Sequence, residues 1–227
     1  MRDVSKIENE KALTEGLSES GSWPGSDSTE ARILAAAEAE FLDKGLDGAR
    51  TTAIAARAGV THAMLHYYFR TKGLLFERII ASKLGELKEM MSAVFFTDDS
   101  EIIDGLRLGI EHHFDYLTAN PDLPRFMIQE VYSHPERYAI VHSLIEEVAQ
   151  PFLNDLQRRI DESAAIGKIV WIDARMLLID IISLNIFSFM GYPIVKPVLG
   201  DYVDSYEDYL EKRKQENVEL IMRRLRP

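Results

Sequence analysis

Residues 62–70 place small or hydrogen-bonding side chains along one side of a short predicted helix. The stripe consists of His62, Ala63, His66, Tyr67 and Arg70. Imidazole, phenol and guanidinium groups can hydrogen-bond to the edges of base pairs in the major groove of DNA, and a small residue lets the helix approach closely. The chemistry that this stripe favours is therefore contact with DNA bases.

Two short helices and a tight turn are predicted to hold this stripe in place. Thr51 is suited to cap a first helix over Thr52–Ala58, and Gly59 is suited to the left-handed position that ends it. Thr61 is suited to cap the second helix. The side of the second helix opposite the stripe is apolar and is expected to pack on the first helix: Leu65 and Phe69 against Ile54, Ala55 and Ala58.

Thr71 and Lys72 follow directly and open a further predicted helix. The free N–H groups of a helix start, together with the lysine charge, suit a DNA phosphate. Residues 50–78 carry five basic side chains and one acidic side chain, although the formal net charge of the chain is −11. This patch is compatible with DNA because affinity for phosphate depends on the local field. The expected DNA contacts are Thr51, Thr61, His62, Ala63, His66, Tyr67, Tyr68 and Lys72.

Three segments between Thr29 and Leu75 form an ordered set: ILAAAEAEFLDKG, TTAIAARAGVT and MLHYYFRTKGLL. Together they resemble the TetR-type family of transcriptional regulators. The resemblance implies an all-α fold, with an N-terminal three-helix DNA-binding domain that contains a helix-turn-helix and a C-terminal helical ligand-binding and dimerisation domain. The expected parts are a flexible N-terminal tail over residues 1–28, the DNA-binding domain over 29–75 and the helical domain over 76–227.

The chain departs from the family pattern at two positions of the DNA-binding segment. Family members usually have tyrosine where this chain has His66, and commonly glutamate where it has Gly73. An imidazole keeps a hydrogen-bonding ring, so His66 raises the hypothesis that DNA binding depends on pH near roughly 6.5. Gly73 costs about 1 kcal/mol of helix propensity relative to alanine, so the start of its helix is expected to be more mobile.

The remaining chain is predicted to be helical, with breaks at Asn-Pro, His-Pro and Gly. The expected helices run from about Lys72 to Phe96, from Ser100 to Thr118, after Pro121, from Pro135 to Ala165, from Asp173 to Met190 and from Tyr202 to Leu225, with a loop at GYPIVKPVLG. The helix that ends at Met190 is apolar nearly all round, which is typical of helices buried on two sides. The resemblance implies that the last two helices form a homodimer; purely intramolecular packing is the alternative.

Polar groups on apolar stripes of the predicted helical domain suggest a small-molecule pocket. The candidates are His113, Tyr116, Phe126, Glu130, Tyr138, Asp180, Asn185 and Phe189. The alternative for each polar group is an ordinary buried side chain with a local hydrogen bond. A metal site is disfavoured because His112 and His113 point about 100° apart on a helix, so no metal or other cofactor is expected.

Composition indicates the cellular compartment of the protein. The chain has 227 residues, 46% of them hydrophobic, and no cysteine, which agrees with a cytoplasmic location. The first residues lack the apolar core of a signal peptide. Met176–Met190 is too short and too often interrupted by polar residues for a membrane span of roughly 20 residues, so no membrane association is expected.

This pattern favours the first of three functions. The first is a dimeric repressor that occupies a palindromic DNA operator and is released by a small-molecule inducer. The second is a DNA-bound scaffold that recruits a protein partner without an inducer. The third is an enzyme, which we do not expect because the sequence has no Gly-rich phosphate loop, no Ser or Cys nucleophile motif and no paired metal ligands.

Overall fold

The computed structural model describes residues 28–95, 101–133 and 138–227. Within these ranges the chain forms ten α-helices and one short 3-10 helix, without strands, which confirms the predicted all-α class. The α-helices are α1 Thr29–Gly48, α2 Thr51–Ala58, α3 His62–Tyr68, α4 Lys72–Phe95, α5 Ile102–Ala119, α6 Leu123–Ser133, α7 Tyr138–Ala165, α8 Ala174–Met190, α9 Tyr192–Leu199 and α10 Tyr206–Leu225. Residues 1–27 of the expected tail and the break predicted between Phe96 and Ser100 lie outside the described residues.

The chain divides into two compact units. The first ends at Glu86 and also includes Ala139–Leu144, and the second comprises Leu87–Tyr138 and Ile145–Pro227. The division lies inside α4, somewhat beyond the domain boundary expected after residue 75. That boundary stays a prediction.

The first unit is built around α1. Ser28 caps this helix because its hydroxyl accepts a hydrogen bond from the Ala31 N–H at 3.1 Å. Phe41 is fully buried, and its ring meets Phe76 edge to face with ring centroids 5.5 Å apart. Gly45 breaks this helix, with φ 66° and ψ 176°. A further turn then carries the chain to Gly48.

A buried carboxylate in α1 was missed at the sequence level. Glu40 is 1% exposed, and its Oε1 lies 2.7 Å from the Lys44 ammonium. That hydrogen bond holds the pKa of Glu40 below its usual value. Glu40 also accepts a long hydrogen bond, 3.5 Å, from the backbone N–H of Arg50, so it ties α1 to the residue that precedes α2.

The turn between α2 and α3 follows the predicted chemistry, with one exception. Gly59 has φ 66°, in the left-handed region that favours glycine, and the Thr61 hydroxyl accepts the Met64 N–H at 3.2 Å. The prediction that Thr51 caps α2 is wrong. α2 begins at Thr51 itself and Arg50 holds the cap position, so the Thr51 hydroxyl bonds elsewhere, 2.9 Å from Nε2 of His62.

The second unit has a core between α5, α7, α8 and α10. Its buried residues include Leu106, Ile110, Leu156, Ile160, Leu177, Ile181, Val218, Ile221 and Leu225. A smaller cluster gathers Phe114, Leu117, Phe189, Tyr209 and Leu210. The apolar stripe predicted for the last helix therefore packs largely within its own unit, and the same stripe contributes to both clusters.

The prediction of a loop at GYPIVKPVLG is wrong. Tyr192–Leu199 forms α9, a 3-10 turn follows at Gly200–Tyr202, and the last helix begins at Tyr206 rather than near Tyr202. Pro193 lies in the first helical turn, where its missing N–H has no intrahelical partner to lose. Pro197 removes one hydrogen bond, a cost that this short helix tolerates.

α8 has two different sides. Leu177, Ile181 and Asn185 are buried, whereas Met176, Ile179 and Phe187 are each more than half exposed.

In the described part of the chain no single helix is long and apolar enough to cross a membrane. Among the helices that the structure describes, one pair, Ala174–Met190 and Tyr192–Tyr202, meets that test jointly on length and composition, and it is bent by 76°.

Candidate nucleic-acid interface and buried polar cluster

The exposed side of α3 consists of the residues expected to meet DNA. Tyr67 is 83% exposed and Tyr68 is 42% exposed, while Leu65 on the opposite side is buried. Thr61, His62, Ala63 and His66 are exposed as well. The helix therefore presents a continuous polar and aromatic surface, held from behind by Leu65 and Phe69 in the core of the first unit.

Two histidines at the centre of this surface are held in place by hydrogen bonds. His62 and His66 meet edge to face, with ring centroids 4.5 Å apart and an interplanar angle of 83°. Nε2 of His62 contacts the Thr51 hydroxyl, and Nδ1 of His66 lies 3.2 Å from the carbonyl oxygen of Arg70. Both rings are thus oriented before any ligand arrives, which reduces the entropy lost on binding.

The start of α4 differs in part from the expected phosphate site. Thr71 caps the helix, since its hydroxyl accepts the Leu74 N–H at 3.1 Å. The Lys72 ammonium donates to the carbonyl oxygens of Ala49 at 3.0 Å and Asp47 at 3.3 Å. An ammonium has three donors, so one remains available for a phosphate. Lys72 therefore also joins α4 to the segment before α2, a structural role that the sequence did not indicate.

A cluster of buried polar side chains lies inside the second unit, where α5, α8 and α10 meet. Asn185 is fully buried, and its Nδ2 donates to Nδ1 of His113 and to the Ile110 carbonyl, both at 3.1 Å. Its Oδ1 accepts from Nδ2 of Asn217 at 3.0 Å. Asn217 accepts in turn from Arg213 at 2.7 Å, so the cluster runs from α5 through α8 to α10.

The structure brings only some of the expected pocket residues together. His113 and Asn185 bond directly, and Tyr116 packs beside the cluster that contains Phe189. Phe126 and Glu130 are buried side chains of α6. Asp180 forms an ion pair with Arg224. Tyr138 begins α7, and its side chain lies outside the described residues.

Two members of the polar cluster were missed at the sequence level. Ser188 and Asn217 are both fully buried, and Asn217 lies within hydrogen-bond distance of Ser188 and Asn185. A signal for Asn217 was present, because it falls seven residues after Leu210 and four before Ile221 on the apolar stripe of α10. A polar residue on such a stripe indicates a buried hydrogen-bonding partner.

We expect the cluster to make the second unit less stable in acid. Burial lowers the pKa of His113 to about 4, so its folded form stays neutral while an unfolded histidine binds a proton below roughly 6.5. Stability is then lost as the pH falls from about 6.5 toward 4, by about 2 kcal/mol at pH 5. His113→Gln, which keeps an acceptor for Asn185, should remove this slope in urea unfolding. Exposed His112→Gln is the control, and equal slopes in all three proteins would contradict the prediction.

Comparisons with known proteins agree with this architecture. The family described as bacterial regulatory proteins, tetR family, matches residues 33–79, which include the helix-turn-helix. The family described as tetracyclin repressor-like, C-terminal domain, matches residues 103–221 and thus more than half of the chain. The two matches occur in the order that the sequence predicted.

A single curated relative also points to a transcriptional regulator, although its match covers less of the chain than the two family matches together. The HTH-type transcriptional repressor SCO4008 of Streptomyces coelicolor is 35% identical over 104 residues, which are 46% of this chain and 50% of that protein. The chain therefore matches only half the length of this relative.

Solved structures share the fold over most of the chain. A putative transcriptional regulator, SCO4942 from Streptomyces coelicolor, has a TM-score of 0.64 at 23% identity, over 88% of this chain and all of that one. The transcriptional regulator FadR from Bacillus subtilis, solved in complex with stearoyl-CoA, has a TM-score of 0.62 at 20% identity, over 86% of this chain and 98% of that one. With a helix-turn-helix in the first unit and a matching helical second unit, the chain belongs to the tetR family of bacterial regulatory proteins.

Proposed function

We propose that this protein is a dimeric, ligand-responsive repressor that binds a palindromic DNA operator through α3. The observation that carries the proposal is the exposed polar side of α3, held rigidly on a buried apolar side. The surrounding residues 50–78 carry five basic side chains and one acidic side chain, whereas the whole chain has a formal net charge of −11. This function implies a cytoplasmic location, where an operator is accessible.

The proposed DNA contacts divide into two kinds. His62, Ala63, His66 and Tyr67 are suited to base edges, because they occupy the exposed surface that would enter a groove. Thr51, Thr61, Tyr68 and Lys72 are suited to the backbone, because hydroxyl and ammonium groups donate to phosphate oxygens. Phosphate contacts would position the protein, and base contacts would specify the sequence.

The second apolar side of α8 supports a homodimer. Met176, Ile179 and Phe187 are exposed, and Leu220 on α10 is 40% exposed. Two copies that bury this side against each other would present two α3 helices to two half-sites of a palindrome. α10 would contribute to the interface through its exposed residue Leu220, because its apolar stripe already packs within the unit.

Substitution of Ile179 tests the dimer. A glutamate at this exposed position should leave the monomer folded but place two charges in the proposed interface, which costs far more than a surface substitution. Sedimentation equilibrium should show a dimer for the wild type and a monomer for Ile179→Glu. Ile194→Glu is a matched control at an exposed position of α9. A dimer that survives Ile179→Glu unchanged would contradict the interface.

The ligand part of the proposal depends on the second unit. FadR from Bacillus subtilis was solved with stearoyl-CoA, so a protein of this fold can hold a small molecule. In this chain His113, Glu130 and Asn185 are buried polar groups within that unit. The experiment is a thermal-shift screen of small molecules, followed by displacement of the protein from a selected operator. A compound that stabilises the protein and releases the operator supports induction.

A DNA-bound scaffold without an inducer is the second candidate, and one observation favours it. Asn185, Asn217 and His113 hydrogen-bond to one another instead of leaving their polar groups for a ligand. The same screen separates the two candidates. If operator binding is unaffected by every compound that stabilises the protein, the scaffold is the better account.

A further inference from the structure

The hydrogen bond of His66 to the backbone determines which of its ring nitrogens carries the proton. Nδ1 of His66 lies 3.2 Å from the carbonyl oxygen of Arg70. A carbonyl oxygen can only accept a hydrogen bond, so Nδ1 must be the N–H. In a neutral imidazole the other nitrogen then has a lone pair and no hydrogen. The exposed ring of His66 therefore presents Nε2 to its surroundings as a hydrogen-bond acceptor.

The neighbours of His66 leave this arrangement undisturbed. The ring of His62 packs against it edge to face, and His62 directs its own Nε2 to Thr51. The charged and titratable side chains nearby along the chain are cationic or phenolic: Arg50 and Arg57 of the α2 segment, Tyr67, Tyr68 and Arg70 beside it, and Lys72 at the start of α4. Residues 50–72 contain no carboxylate.

We propose that His66 is a specificity-determining residue that, in its neutral form, accepts a hydrogen bond from the exocyclic amino group of adenine or cytosine. Those two amino groups are the base donors of the major groove, whereas guanine O6 and N7 and thymine O4 are acceptors. A lone pair that faces another lone pair is repelled, so the Arg70 carbonyl selects the base through the tautomer. The inference rests on the proposed binding of α3 to DNA.

Protonation would reverse this preference. An imidazolium carries hydrogens on both nitrogens, so Nε2 would become a donor and would favour guanine or a phosphate oxygen.

The test uses base analogues that lack a single group. A duplex is first selected from a random library with the full-length wild-type protein at about pH 7.5. Each adenine of that duplex is then replaced by nebularine, which lacks the N6 amino group, and each cytosine by 2-pyrimidinone, which lacks the N4 amino group. Affinities are measured for the wild type, His66→Ala and, as a matched exposed histidine, His112→Ala. Comparison with His66→Ala removes the effect of the weakened base pair itself.

The expected result is one amino group per half-site whose loss weakens the wild type and His112→Ala by about tenfold, but leaves His66→Ala nearly unchanged. The melting temperature of each variant verifies folding.

Two results would overturn the inference while the proposed function stands. One is that no amino deletion separates the wild type from His66→Ala. The other is that 7-deazaguanine, which lacks the N7 acceptor, separates the wild type from His66→Ala. If the wild type selects no duplex at all, the proposed DNA binding itself fails, which is a different outcome.

Discussion

Replacement of His66 and Tyr67 together with alanine is expected to lower affinity for the selected operator by about 100-fold or more. A well-placed contact to a base edge contributes about 1–3 kcal/mol, and two such contacts would be lost. Both side chains are exposed and contact mainly their neighbours on α3 and the segment after it, so the fold should not change. Fluorescence anisotropy with the labelled operator measures the affinity, and thermal unfolding measures the fold.

A matched double variant controls for the loss of exposed aromatic surface. His112 and Tyr132 are exposed residues of the second unit, so His112→Ala with Tyr132→Ala removes the same side-chain types elsewhere. This variant should bind the operator as the wild type does. Equal affinity of wild type and the His66 and Tyr67 variant would contradict the assignment of α3 as the reading helix.

Replacement of Asn185 with leucine is expected to lower the free energy of unfolding by about 3 kcal/mol or more. The substitution leaves Nδ1 of His113, the Ile110 carbonyl and Nδ2 of Asn217 without the partner that Asn185 supplies. A buried polar group that loses its hydrogen bond costs about 1–3 kcal/mol. Urea unfolding at neutral pH measures the loss, and Ser183→Ala, an exposed change on the same helix, is the control.

A second substitution distinguishes lost hydrogen bonds from poor packing. If unsatisfied polar groups cause the destabilisation, Asn217→Leu added to Asn185→Leu should cost much less than the sum of the single changes, because one orphaned amide is removed. Additive losses would indicate that the shape of leucine, rather than the missing partner, is responsible.

The helix-turn-helix was largely predictable because its signals are local. Gly59 and Thr61 do what a left-handed glycine and a capping threonine do in any chain, and periodicity alone placed Leu65 in the core. Thr51 shows the limit of this reasoning. Its hydroxyl could serve either the start of its own helix or a side chain eleven residues away, and the packing of α2 against α3 decides for His62.

The interior of the second unit was less predictable because its partners are distant in the sequence. His113 and Asn185 were identified singly as polar groups on apolar stripes, but their hydrogen bond joins α5 to α8 across 72 residues. Asn217 was not identified at all. The two prolines of GYPIVKPVLG predict a loop, yet Pro193 lies in the first helical turn, where proline is tolerated.

The hydrogen bond between Thr51 and His62 has a consequence for how this regulator could diverge in evolution. His62 serves the scaffold as well as the reading surface, so a mutation there would change base preference and also loosen the junction of the two helices, by about 0.5–1.5 kcal/mol. Within the described part of the chain, the side chain of Tyr67 makes an edge contact with the ring of Tyr68 and no hydrogen bond, so it can vary without that penalty. New operator preferences should therefore arise first at Tyr67, with His62 changing only after Thr51 has changed.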